Sequence, residues 1–257
     1  MKLAVVSENV SNLIVDRSFT VGDVPGVLWS PPSAAPGTPL LLMGHGGGLH
    51  KRSPGLVARA RQAVLRDGFH VAAIDVPGHG VRAPSREDQE WVDALFRARE
   101  NGEPLDPIIA PFNISLAERA VPEWRMTIDA LQELPEIGTT SPIGYSGMTI
   151  ATAIGIPLVV AEPRIRAAIF GGVFVYDALL EAARHVTIPT EFLLPWDDPE
   201  IGRQHGLAVF DAFASEEKTL LAFPGSHFRV PADRLDTRFF ARHLGIPAHP
   251  PAPTPRG

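Results

Sequence analysis

Short, wholly apolar runs, each followed closely by a helical pattern, recur along this chain, and that alternation limits its fold more than any other feature. Leu40 to Met43 is apolar throughout and leads into glycines, as a strand buried on both faces of a parallel sheet requires. Ser53 and Pro54 then mark a helix start, Leu56, Val57, Ala60, Val64 and Leu65 keep a helical period, and Gly68 closes it. Val71 to Val76 reads as the next strand. The unit returns with the strand Ser141 to Tyr145, an apolar helix from about Met148 to Ala161, and the strand Ile165 to Phe170. A helix near Tyr176 to Arg184, the strand Glu191 to Pro195, a helix from Arg203 to Ala214 and the strand Lys218 to Phe223 complete it. Such a rhythm predicts one α/β domain over residues 1–247, with a mainly parallel sheet and helices on both faces. Leu13 to Val21 and Gly26 to Ser30 stand apart as an opening hairpin.

The 257 residues are 45% hydrophobic and 20% charged, which suits one ordered core and excludes wholesale disorder. The net charge is −6 and the cations are scattered, so nucleic acid is not an expected partner. There are no cysteines, which removes disulfides, thiolate metal sites and a cysteine nucleophile together. The apolar start, Met1 to Val6, is interrupted by Glu8 and Asn9 before it reaches the length of a signal-peptide core. No run approaches the ~20 apolar residues of a membrane span, and a cytoplasmic protein is expected.

Two segments break the rhythm. Residues 81–115 form an insertion with one charged helix, capped by Ser85 and ended by Asn101 and Gly102, followed by the proline-broken run Pro104 to Ile114. Its aromatic residues Trp91, Phe96 and Phe112 either line a lid over a substrate or pack the excursion onto the body, and an apolar face there would serve a homo-oligomer equally. Ser115 and Glu118 read as a capping box that opens a helix toward Leu134, with Pro122 as a kink or as part of a later first turn. Residues 248–257, rich in proline, read as a disordered tail.

The chemistry is expected at the carboxyl ends of the strands. Gly144-Tyr145-Ser146-Gly147-Met148 joins a strand to a helix, and a serine on such a turn projects its hydroxyl above the sheet edge. The turn also demands a small residue two places after the serine, where this chain has Met148. His45-Gly46-Gly47-Gly48 follows the strand Leu40 to Met43, and the N–H of Gly47, with that of Gly147, would form an oxyanion hole. One of the paired carboxylates Asp197 and Asp198 would orient an imidazole, and His227, in the loop after Lys218 to Phe223, is placed to be the base. Tyr145, beside the serine, joins the insertion's aromatics as a candidate substrate contact. His45, His50 and His79 lack metal-ligand spacing, so neither metal nor cofactor is expected.

With the order serine, acid, histidine in place, the chain resembles the α/β-hydrolase superfamily from about Leu13 to Leu244, and within it the dienelactone-hydrolase-like esterases. Asp75-Val76-Pro77-Gly78-His79-Gly80 adds to the resemblance. It implies the α/β-hydrolase fold, Ser146 as nucleophile, Asp198 (preferred over Asp197) as acid, His227 as base, and Gly47 and Gly147 as oxyanion donors. The expected activity is hydrolysis of a carboxylic ester through an acyl-enzyme, and the apolar run Pro104 to Ile114, with Trp91 and Phe96, suggests a hydrophobic substrate. Acyl transfer to another acceptor, amide or carbon–carbon hydrolysis, and a retired scaffold that only binds remain the alternatives.

Overall fold

A computed structural model describes residues 1–11, 13–35, 37–230 and 238–245; the expected tail lies outside them. The strands are β1 (Leu3–Ser11), β2 (Ile14–Val21), β3 (Val24–Ser30), β4 (Leu40–Met43), β5 (His70–Ile74), β6 (Ile143–Ser146), β7 (Ile165–Gly171), β8 (Thr190–Pro195) and β9 (Lys218–Phe223). The helices are α1 (Pro54–Gln62), α2 (Arg86–Asn101), α3 (Asp106–Gln132), α4 (Ile150–Ala161), α5 (Asp177–Ala183), α6 (Arg203–Ala212) and α7 (Arg238–Leu244). They build one open nine-stranded sheet in the order β1-β2-β3-β5-β4-β6-β7-β8-β9. The first three strands pair antiparallel, as does β3 with β5, and from β5 to β9 every pairing is parallel. No helix among the described residues is long and apolar enough to cross a membrane.

Strand alternation sends successive side chains to opposite faces, and the two faces bury separate cores. Leu40, Leu42, Tyr145, Phe170 and Phe192 face Trp124 and Ile128 of α3 and Ile154 of α4. Leu41, Met43, Ala167 and Ile169 face Leu56 and Ala60 of α1 and Phe239 and Phe240 of α7. From β4 the chain passes to β5 on one side and later to β6 on the other, with α1 and α3 on opposite faces. Such connections diverge at the carboxyl ends of β4 and β6, where an open α/β sheet is expected to bind its ligand.

Three elements differ from the sequence reading. The hairpin is preceded by a full edge strand, β1, exposed along nearly all its length. No face of it is buried, so no alternation marked it. The proline-broken run and the helix after it are one helix, α3, with Pro111 and Pro122 inside it. Each proline removes one hydrogen bond, but the buried side chains Leu116, Ala120, Trp124, Ile128 and Leu131 recur at helical spacing and hold α3 on the sheet. Ser115 and Glu118 therefore lie within α3 and cap nothing. The third difference is at the β6–α4 junction, where the strand runs through Ser146 and the helix begins at Ile150.

The insertion is tied down beside the sheet edge. Ser85 caps α2 in a reciprocal capping box with Asp88, and Asp88 also receives both guanidinium nitrogens of Arg119. Leu95, Leu105 and Ile109 pack against Phe174, after β7, and Ile201, after β8. Arg99 pairs with Glu200 at 2.8 Å.

Candidate active site

Asp198 and His227 meet at the carboxyl edge of the sheet. Asp198 follows β8, and His227 lies in the loop after β9, the adjacent parallel strand. One carboxylate oxygen of Asp198 accepts the His227 ring Nδ1–H and the His227 backbone N–H, each at 2.6 Å. The other accepts the N–H groups of Glu200 and Ile201 at 2.9 and 2.8 Å. Burial pushes the Asp198 carboxyl upward, but the three backbone N–H groups and the imidazole outweigh it and hold its pKa below the ordinary 3.8. It is therefore ionised at neutral pH and holds the imidazole through Nδ1. Asp197, the other member of the pair, is exposed and has no such role.

The glycine loop is equally fixed. Burial drives the His45 imidazole down to about 4, so it is neutral near pH 7. Its partners set the tautomer: Nδ1 lies 3.0 Å from the Gly46 carbonyl, and Nε2 accepts the Val76 N–H at 3.3 Å. Behind it Lys51 and Asp75 form a buried pair at 2.5 Å. The same carboxylate accepts the N–H groups of Lys51 and Val81, binding the loops after β4 and β5 together. Gly80 turns at φ +64° directly over that carboxylate, where a Cβ would lie 2.2 Å from its carbon. No group of three or more His, Asp or Glu side chains among the described residues is arranged to hold a metal ion.

Between these parts lies the β6–α4 turn, and its geometry corrects the sequence reading. Ser146 is the last residue of β6, in register with Met43 and Ile169, and is 6% exposed. It shares a strand face with Gly144, whose missing side chain makes room for Phe240 of α7. The N–H of Gly147, expected to face the site, instead donates to the Ile169 carbonyl at 3.0 Å as a further rung of the sheet. Tyr145, expected as a substrate contact, is fully buried between Trp124 and Phe170 and donates its hydroxyl to the Ala151 carbonyl.

The strained residue of the turn is Thr149, at φ 57° and ψ −119°. A β-branched residue at positive φ is a true outlier, held at a cost of about 1–3 kcal/mol only where its surroundings over-determine it. Here they do: the Thr149 N–H donates to the Gly171 carbonyl, and its own carbonyl accepts the Thr152 and Ala153 N–H groups. The buried Thr152 hydroxyl lies within 3.0 Å of the carbonyls of Gly147 and Gly171 and accepts the Gly171 N–H. Neither Thr149 nor Thr152 stood out in the sequence, although the pattern Gly147-Met148-Thr149-Ile150-Ala151 was there to be read.

The parts converge around Gly172, which turns at φ +45° after β7. A side chain there would meet the His227 Cβ at 3.1 Å and the Met148 Cε at 3.3 Å, so His227 and the turn close over the same glycine. On the glycine loop, Cβ positions at Gly46 and Gly47 would come within 3.2 Å of Thr149 Oγ1 and 3.6 Å of the Ile150 side chain. Of the insertion's aromatics, Phe112 packs on the main core and Phe96 is 56% exposed, while Trp91 is half-buried.

No protein-family model matches this chain, and no curated protein matches it in sequence. Solved structures do. A PEG-bound, cold-adapted esterase from an Arctic intertidal metagenomic library superposes with a TM-score of 0.75 at 27% identity, over 93% of this chain and 98% of its own. An acetyl xylan esterase from Paenibacillus sp. R4 gives 0.68 at 14% identity, over 95% and 88%. A dienelactone hydrolase from Anabaena variabilis gives 0.62 at 20% identity, over 93% and 98%. The chain thus has the α/β-hydrolase fold and is similar in structure to these esterases and this dienelactone hydrolase.

Proposed function

We propose that this protein hydrolyses small carboxylic esters by transferring the acyl group to a side-chain hydroxyl on the β6–α4 turn and then to water. The observation that carries the reading is the Asp198–His227 pair, with its carboxylate fully buried and the His227 Cβ beside Gly172, the glycine that Met148 of the turn also flanks. His227 takes the proton of the attacking hydroxyl and gives it to the departing alcohol, then repeats the exchange with water. Asp198 holds the ring and stabilises the imidazolium that forms. The N–H of Gly47, with one N–H from the turn, receives the negative charge on the carbonyl oxygen.

Apolar side chains flank these groups: Trp196 precedes the acid and is 42% exposed, Phe228 follows the base at 65%, and Leu49 stands in the glycine loop at 49%. They favour an uncharged, hydrophobic ester. The folded protein is therefore expected to turn over nitrophenyl esters of straight-chain acids and to prefer them to esters with a charged acyl group. A spectrophotometric panel checks this, and no turnover of any member by folded protein would overturn the proposal.

A further inference from the structure

The geometry points to Thr149, and not Ser146, as the hydroxyl that attacks the ester, with the N–H of Ile150 as the oxyanion donor from the turn. This inference rests on the hydrolase reading above and names the nucleophile within it. Four independent observations converge on that residue.

A nucleophile of this fold sits on a strained strand-to-helix turn that lifts its oxygen clear of the sheet. Thr149 is the one described residue between β6 and α4 with such a backbone, while Ser146 is still in the ladder. The turn needs small residues two places to either side. Around Thr149 these are Gly147 and Ala151, which touch: a Cβ on Gly147 would lie 2.6 Å from the Ala151 Cβ. Around Ser146 the second is Met148, and the first, Gly144, serves the packing of α7.

The third observation is direction. Thr149 Oγ1 lies beside the glycine loop, 3.2 Å from where a Cβ on Gly46 would be, on the side where an oxyanion would be held. The fourth is supply of donors. The first N–H groups of a helix have no partner within it, and Ile150 opens α4 next to Gly47, whereas the Gly147 N–H is bound to Ile169.

The reaction balances without a further reagent. A bond forms between Thr149 Oγ1 and the acyl carbon as the ester C–O bond breaks, and the threonine proton leaves on the alcohol by way of His227. Water then adds to the acyl carbon, the acid departs, and the proton returns through His227 to Oγ1. The methyl group on the same carbon as Oγ1 crowds the attack, so a serine at this position should serve at least as well.

The test compares wild type, Thr149→Ala, Thr149→Ser and Ser146→Ala, each checked for an unchanged melt, in nitrophenyl acetate hydrolysis. Each is also treated with a fluorophosphonate, and the adduct is mapped by peptide fragmentation. Thr149→Ala is expected to lose about 10³-fold or more in kcat and to take no adduct. Thr149→Ser should stay within about tenfold of wild type or exceed it, and Ser146→Ala should keep both turnover and an adduct on Thr149. A wild-type adduct on Ser146, or full turnover in Thr149→Ala, overturns the assignment and leaves the hydrolase reading standing. Turnover and labelling absent from all four would overturn both.

Discussion

Asp198→Asn is expected to lower kcat for a nitrophenyl ester by about 10³- to 10⁴-fold while leaving KM within a few-fold, because the lost interaction is made with the imidazolium that exists only during reaction. The native carboxylate accepts two bonds from His227 through one oxygen. An amide keeps the shape but loses the charge, and its NH2 group, if turned toward the ring, demands the opposite tautomer. Asp197→Asn, one residue earlier and exposed, should change little. Steady-state kinetics of the two variants decide the matter, and equal losses in both would mean that the buried pair does not set the rate.

The second large effect is on stability. Asp75→Ala would leave Lys51 buried without its partner and strip acceptors from the Lys51 and Val81 N–H groups. Breaking a buried pair from one side costs about 3–5 kcal/mol, which for a chain of this length lowers the melting temperature by on the order of 10 °C. Arg86→Ala, which breaks the exposed α2 pair with Glu90, should cost under about 0.5 kcal/mol. The pair also dictates a pH dependence. Burial raises the Asp75 pKa, but Lys51 and the N–H groups more than offset this and leave it below 3.8. A carboxyl lowered on folding stabilises fully above its unfolded value, and the contribution disappears as pH falls through the folded one. The melting gap between wild type and Asp75→Ala should therefore shrink below about pH 4, in scanning calorimetry across pH, as the unfolded-state pKa is passed.

Most of the fold could be read from the residues because its core strands are buried on both faces. Leu40–Met43 has no alternative as a wholly apolar tetrapeptide leading into glycines, and the elements from α4 to β9 fall within a few residues of their expected bounds. β1 escaped because neither of its faces is covered, and α3 because local proline chemistry is overruled by tertiary packing. The Asp198–His227 pair was legible for a topological reason: each residue lies in the loop after one of two adjacent parallel strands.

The proposed nucleophile lies three residues beyond the one expected from the sequence, and the reason is physical. Gly144 to Met148 and Gly147 to Ala151 both carry a hydroxyl residue with glycine two places before it, and only the end of β6 separates them. That end is set by pairing with Met43 and Ile169, residues far away in sequence. Met148 carried the signal, as the wrong size for its expected place. With Thr149 as the proposed nucleophile, Met148 falls at a variable position of the turn and no longer argues for a retired scaffold. Tyr145 adjoins Ser146 in sequence, but the strand register sends its side chain into the core, away from any substrate.

The most direct test of ester hydrolysis by acyl transfer is a rapid acid quench of the protein mixed with nitrophenyl acetate, read by intact mass, for wild type and His227→Ala. The account predicts a single acetyl adduct that forms and decays in wild type within the turnover time, and a variant that remains unmodified on that scale with turnover reduced at least about 10³-fold. Hydrolysis by His227→Ala at the wild-type rate would contradict it.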